Sequence, residues 1–161
     1  MSTSDAPLPT APAVPGAPPV LLVVRAPYYR DIIDGMTWGA ARILDGAGAT
    51  HEILDVAGSF ELAQAIGIVE RGPQKFDGFV ALGCIVRGGT DHYDHICRET
   101  MAGLMNVALQ HGIALGSGVL TVHSIEQATA RSGRDGFNKG AEAAVAALLQ
   151  IVAKRRFGGV V

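Results

Sequence analysis

The sequence has few cysteines, little charge and no long apolar run, and each shortage removes a class of function. Cys84 and Cys97 are its only cysteines, and without a CxxC pair they form neither a zinc ribbon nor a redox dithiol. Both read as buried or incidental thiols in the reducing cytosol, and a cytoplasmic location is expected. Charged residues make up 17% of the chain and hydrophobic ones 48%, against about 25% charged in a typical soluble domain. More surface should therefore be buried than a monomer manages, which points to an oligomer. The net charge is −2, and lysine and arginine form no stripe, so nucleic acid is not an expected partner. Lys154-Arg155-Arg156 reads as the cationic end of a last helix, where positive charge suits the dipole. Nothing is apolar enough for long enough to span a bilayer, and the Ala/Pro-rich first residues do not read as a secretory leader. Membrane partners are not expected either.

What is present is one domain's worth of alternating elements. Five prolines fall within residues 1–18, and this Ala/Pro-rich stretch reads as a disordered tail before a domain over residues 19–161. The apolar run from Val20 to Val24 predicts a buried strand. Ile32, Met36, Ala40, Ile43, Leu44 and Ala47 then recur at helical spacing until Gly46 and Gly48. The same alternation predicts strands over 50–56, 76–86 and 113–121, and helices over 60–70, 90–111, 125–131 and 139–156. Ile96, Met101, Leu104 and Ala108 are expected to face inward in the helix over 90–111, and Ala141, Val145, Leu148 and Val152 in the last helix. Such a chain folds as an α/β protein, a three-layer α/β/α sandwich around a four-stranded parallel sheet. Ligands of such folds bind beyond the carboxyl ends of the strands, here residues 25–28, 57–61, 87–92 and 121–124.

The unusual residues lie at the first three of those ends. Gly83-Cys84-Ile85-Val86-Arg87-Gly88-Gly89-Thr90-Asp91-His92 carries a strand into two glycines and then into a helix start. Residues without a Cβ let backbone N–H groups approach a phosphate closely. Thr90 stands where a helix N-cap belongs. His92 has an ordinary pKa near ~6.5 and can both donate and accept a proton at neutral pH. Two glycines alone make a tight turn, and a lone histidine is usually a surface residue. The strand before, the helix after and the cap tip the reading toward an anion cradle with a proton-transfer group beside it. His95 is read as structural, and Asp94 with Arg98 as an i, i+4 ion pair. Asp91, His92, Asp94, His95 and Cys97 could suggest a metal cluster, yet neither HExxH nor a second ligand group accompanies them, so no metal is expected.

Two further motifs, Gly58-Ser59-Phe60-Glu61 and Asn138-Lys139-Gly140, flank this segment in order. With it they resemble the lumazine synthase family over residues 19–156. The resemblance implies a flavodoxin-like sheet, no cofactor, and condensation of a ribitylamino-pyrimidinedione with 3,4-dihydroxy-2-butanone 4-phosphate in riboflavin formation. It makes His92 the proton shuttle, and gives the phosphate to Gly88, Gly89, Thr90, Arg131 and Lys139. Gly58, Ser59, Phe60, Glu61, Cys84, Ile85, Val86 and Ser117 would meet the pyrimidine and its ribityl chain. A stacking aromatic is implied at Tyr28 or Tyr29, with Tyr28 favoured by position. It further implies small-molecule substrates and a homo-oligomer, a pentamer or larger, with the site between neighbours. Ser117 stands where many relatives place an aromatic, and His123 where an acidic residue is common. A flavin-holding shell protein without activity and a metal-dependent hydrolase are the other readings.

Overall fold

The computed structural model describes residues 9–134 and 136–158. Four strands form one parallel sheet: β1 (Val20–Arg25), β2 (Thr50–Asp55), β3 (Gly78–Val86) and β4 (Ala114–Val122), in the order β2-β1-β3-β4. Among the described residues five helices accompany them: α1 (Arg30–Gly46), α2 (Leu62–Arg71) and α3 (His92–His111) between the strands, and α4 (Ile125–Thr129) and α5 (Lys139–Phe157) after β4. A single 3₁₀ turn, Ser59–Glu61, leads into α2. The expected flavodoxin-like α/β/α sandwich is what the chain forms.

Alternate residues of each central strand point to opposite faces, so the sheet separates two cores. Leu21, Val23, Val80 and Leu82 pack with Ile33, Met36 and Ile43 of α1 and Ala144, Leu148 and Ile151 of α5. Leu22, Val24, Phe79 and Ala81 face the other way, onto Leu62 and Ile66 of α2 and Leu104 and Val107 of α3. Burial on both faces explains why β1 and β3 read as continuous apolar runs. The edge strand β4 alternates instead, with Ser117 and Thr121 exposed.

Residues 1–8 of the expected tail lie outside the described residues. From Pro9 to Pro18 the chain has no helix or strand, but Ala11 and Val14 pack against the α1–α5 core. Arg42 Nη2 donates to the Pro9 carbonyl at 2.9 Å, and Arg155 Nη1 to those of Pro15 and Ala17 at 2.7 and 2.9 Å.

Four local expectations are corrected. Helix α3 starts at His92 with Asp91 as its N-cap and no side-chain cap, so Thr90 does not cap it. Helix α2 begins at Leu62 rather than at residue 60, because the 3₁₀ turn Ser59–Glu61 precedes it. The inward residues of α3 are Tyr93, Thr100, Leu104 and Val107, while Met101 is 46% exposed and shares an outward apolar stripe with Met105 and Leu109. Asp94 does not pair with Arg98: it binds Arg87, and Arg98 binds Glu99 and donates to His95 Nδ1.

Candidate active site

Parallel strands share one carboxyl edge, which gathers the ends of β1, β2 and β3 on one side of the sheet. At the end of β1, Tyr28 is 77% exposed while Tyr29 packs against the core, their rings edge to face at 5.0 Å. Tyr28 is thus the more exposed of the two rings. Arg25, just before it, is not free: its Nε lies 2.6 Å from Asp55 and its Nη1 3.0 Å from Asp34. The hydrogen bond to Asp55 is the main cause of its raised pKa.

After β2, Gly58 is extended, and its carbonyl accepts from the Glu61 amide at 3.1 Å. A Cβ on Gly58 would stand 3.2 Å from Glu61 Oε2, so the carboxylate folds back over a residue that leaves room for it. Phe60 is half exposed and Ser59 buried.

At the end of β3, Cys84 and Ile85 are buried and Val86 half-buried. Burial pushes the Cys84 thiol up to about 11. Beyond them Gly88 and Gly89 have open space where a Cβ would stand, and neither has a positive φ. No close packing and no backbone angle in the described chain therefore calls for glycine there. Thr90 and His92 are exposed beside them.

Sequence reasoning missed the group that frames this turn. Arg87, at its start, makes two hydrogen bonds to the Asp94 carboxylate in the first turn of α3, and its guanidinium lies 4.3 Å from the Tyr93 ring centre. The Tyr93 ring in turn meets His123 at 6.1 Å, edge to face. Burial is the main cause of the raised Tyr93 pKa. A cation beside a strand end and an acid seven residues later was the available signal.

The remaining predicted residues gather elsewhere. Ser117, Arg131 and Lys139 line a cleft of about 400 Å³ along β4 and α5, with Val119, Thr121 and Glu142. Tyr28, Glu61, Gly88, Gly89, Thr90 and His92 are not among its lining residues. Arg131 Nη1 donates to the Gln127 carbonyl at 2.9 Å, its one side-chain hydrogen bond among the described residues. Lys139 Nζ lies 2.6 Å from Glu142 and 4.8 Å from the Phe137 ring centre, so its charge is partly answered within the chain. Within the single chain the predicted residues thus fall into two groups, one at the strand ends and one in the β4–α5 cleft. Among the described residues no three His, Cys, Asp or Glu side chains converge as metal ligands, and no helix is long and apolar enough to cross a membrane.

The sequence model of 6,7-dimethyl-8-ribityllumazine synthase matches residues 19–155. The chain belongs to the lumazine synthase family. It is 44% identical over 142 residues to 6,7-dimethyl-8-ribityllumazine synthase 1 of Rhizobium meliloti, covering 86% of this chain and 93% of that one. A lumazine synthase of Paramagnetospirillum magneticum is 43% identical over 86% of this chain and 96% of its own length. That of Agrobacterium fabrum is 41% identical over 88% and 98%. The family match begins at Pro19, where the proline-rich segment ends, and runs through all four strands and almost the whole of α5.

Proposed function

We propose that the chain condenses 5-amino-6-ribitylamino-pyrimidinedione with 3,4-dihydroxy-2-butanone 4-phosphate to give 6,7-dimethyl-8-ribityllumazine, with release of phosphate and water. The family match along the whole domain carries this reading. The geometry adds a local reason: Gly88 and Gly89 satisfy no demand of the fold, and they stand at a strand end beside His92.

In this reading the pyrimidine stacks on Tyr28, and the ribityl hydroxyls donate to Glu61, a charged acceptor that makes the stronger kind of hydrogen bond. Ser59, Phe60 and the β3 end from Cys84 to Val86 complete that side, with Ser117 facing from the other. The substrate's primary amine adds to the butanone carbonyl and water leaves as the imine forms. Phosphate is then eliminated, the enol left behind becomes a ketone, and the second nitrogen adds to that carbonyl and closes the ring with loss of a second water. His92 carries protons in the imine and elimination steps. Amides at Gly88, Gly89 and Thr90, with the Arg131 fork and the Lys139 ammonium, hold the departing phosphate. Holding two reactive partners together supplies much of the rate.

The site is completed by a neighbouring subunit in a homo-oligomer, a pentamer or larger, in the cytoplasm. Two features support this. The β4–α5 cleft gathers Ser117, Arg131 and Lys139 apart from His92, and Met101, Met105 and Leu109 of α3 expose an apolar stripe above a second cleft of about 280 Å³ beside β4. Contiguous exposed apolar surface marks an interaction face. Incubating the purified protein with both substrates tests the reading: lumazine absorbance should rise with phosphate release. Lumazine binding without turnover would replace it with a non-catalytic binding protein.

A further inference from the structure

We propose that Asn138 is a positioning residue, setting how Arg131 and Lys139 meet the phosphate; this rests on the phosphate role given to those two cations above. Asn138 is fully buried although its side chain is an amide, and every such group needs partners. It has them on three elements. Its Oδ1 accepts from Ala141 N at 3.0 Å, capping α5. Its Nδ2 donates to the Gly35 carbonyl in α1 at 3.0 Å and to the Gly133 carbonyl at 2.8 Å.

The loop between the two cations is closed by the same residue. Ser132 and Asn138 form an antiparallel bridge, and the Lys139 amide donates to the Arg131 carbonyl at 2.9 Å. The loop also seats in a notch on α1. A Cβ on Gly35 would overlap the Ser132 carbonyl, and one on Gly39 would overlap the Asn138 amide. Arg131 and Lys139 are thus held at the two ends of a loop whose base is pinned to α1 by one side chain. Only an amide suits the position. Aspartate would set a carboxylate against two carbonyl oxygens, and serine could cap α5 but could not reach both carbonyls.

That difference supplies the test. Asn138→Ser keeps an N-cap of comparable quality, so α5 should stay formed, while the two bonds that seat the loop are lost. We expect the KM for the butanone phosphate to rise roughly three- to tenfold, the KM for the pyrimidine to stay within about twofold, and the far-ultraviolet spectrum to be unchanged. In an Arg131→Ala background the same substitution should add little, because residues that act through one another are not additive. Should Asn138→Ser not fold, Gly39→Ala presses on the amide from α1 with all its polar atoms present, and the same KM split is expected. Three results overturn the proposal. If Arg131→Ala raises the phosphate KM but a folded Asn138→Ser does not, Asn138 only caps α5. If Asn138→Ser raises both KM values alike, its effect is general loosening. If Arg131→Ala itself leaves the phosphate KM unchanged, the phosphate reading fails and the positioning role with it.

Discussion

Arg87 and Asp94 clasp the two ends of the glycine turn. One residue directly follows β3 and the other lies in the first turn of α3, and their paired hydrogen bonds bridge the Gly88-Gly89-Thr90 segment between them. A fork-to-carboxylate pair fixes orientation as well as distance. The turn and the exposed His92 that follows it are thereby held to the sheet.

Asp94→Asn should therefore slow the reaction without unfolding the protein. The pair is exposed, so little stability is at stake, but a misplaced turn moves both the amides and His92. A kcat lower by roughly tenfold is expected, short of the ~100-fold that a 1 Å displacement can cost. Steady-state kinetics beside a melting curve checks it, and an unchanged kcat would leave the pair as surface decoration.

Removing the imidazole is a more direct test. His92→Ala should lower kcat by about 10²-fold, the low end of the 10²–10⁴ range for general acid–base groups, because proximity supplies much of the acceleration. Binding of the ribityl pyrimidine, measured by titration calorimetry, should be nearly intact. A variant with ordinary kcat across pH 6 to 8 would make His92 a helix-end residue and nothing more.

Arg131→Ala should act on binding instead. It removes a charge-assisted hydrogen bond worth ~1.5–3 kcal/mol, so the KM for the butanone phosphate should rise roughly ten- to a hundredfold if the loss falls on binding alone. The KM for the pyrimidine is the internal control.

Mixing those two variants tests whether the site is shared. Chains carrying His92→Ala and Arg131→Ala, refolded together, should form some interfaces with both intact residues. Activity should exceed the sum of the separate variants. No gain, despite co-assembly shown by mass spectrometry, would put the whole site in one subunit.

The Cys84 thiol gives a pH signature of burial. Its pKa is pushed up from 9.0 to about 11, so the folded chain holds that proton more tightly than the unfolded one. Its contribution to stability is complete below pH 9 and is lost as pH rises through about 11. Alkylation of Cys84 in the folded protein should be slow at pH 8 and quicken toward pH 11, followed by peptide mapping.

The sheet was legible because β1 and β3 are apolar on both faces and their helices repeat at helical spacing. The placement of Gly88, Gly89 and His92 between β3 and α3 was legible because a strand, two glycines and a helix start are adjacent in sequence. The α3 face was not: Met101 is as apolar as Leu104, and only the position of α2 decides which of them is covered. The Asp94 partner was misread for a related reason, since Arg87 and Arg98 are both near in sequence and only the turn brings one of them to the carboxylate. Asn138 was visible as part of a motif, but its partner Gly35 lies 103 residues earlier, beyond any local pattern.

Helix α5 rests on β4 with almost nothing between them. At Gly116 a methyl group would overlap the Ala143 carbonyl, and at Gly118 it would crowd the Ala143 methyl. At Gly116 the spacing of that wall is therefore set by main chain against main chain, and at Gly118 by the Leu82 and Ala143 side chains. A side chain at residue 116 would push α5 off β4 and carry Glu142 and Lys139 away from Ser117, widening the cleft.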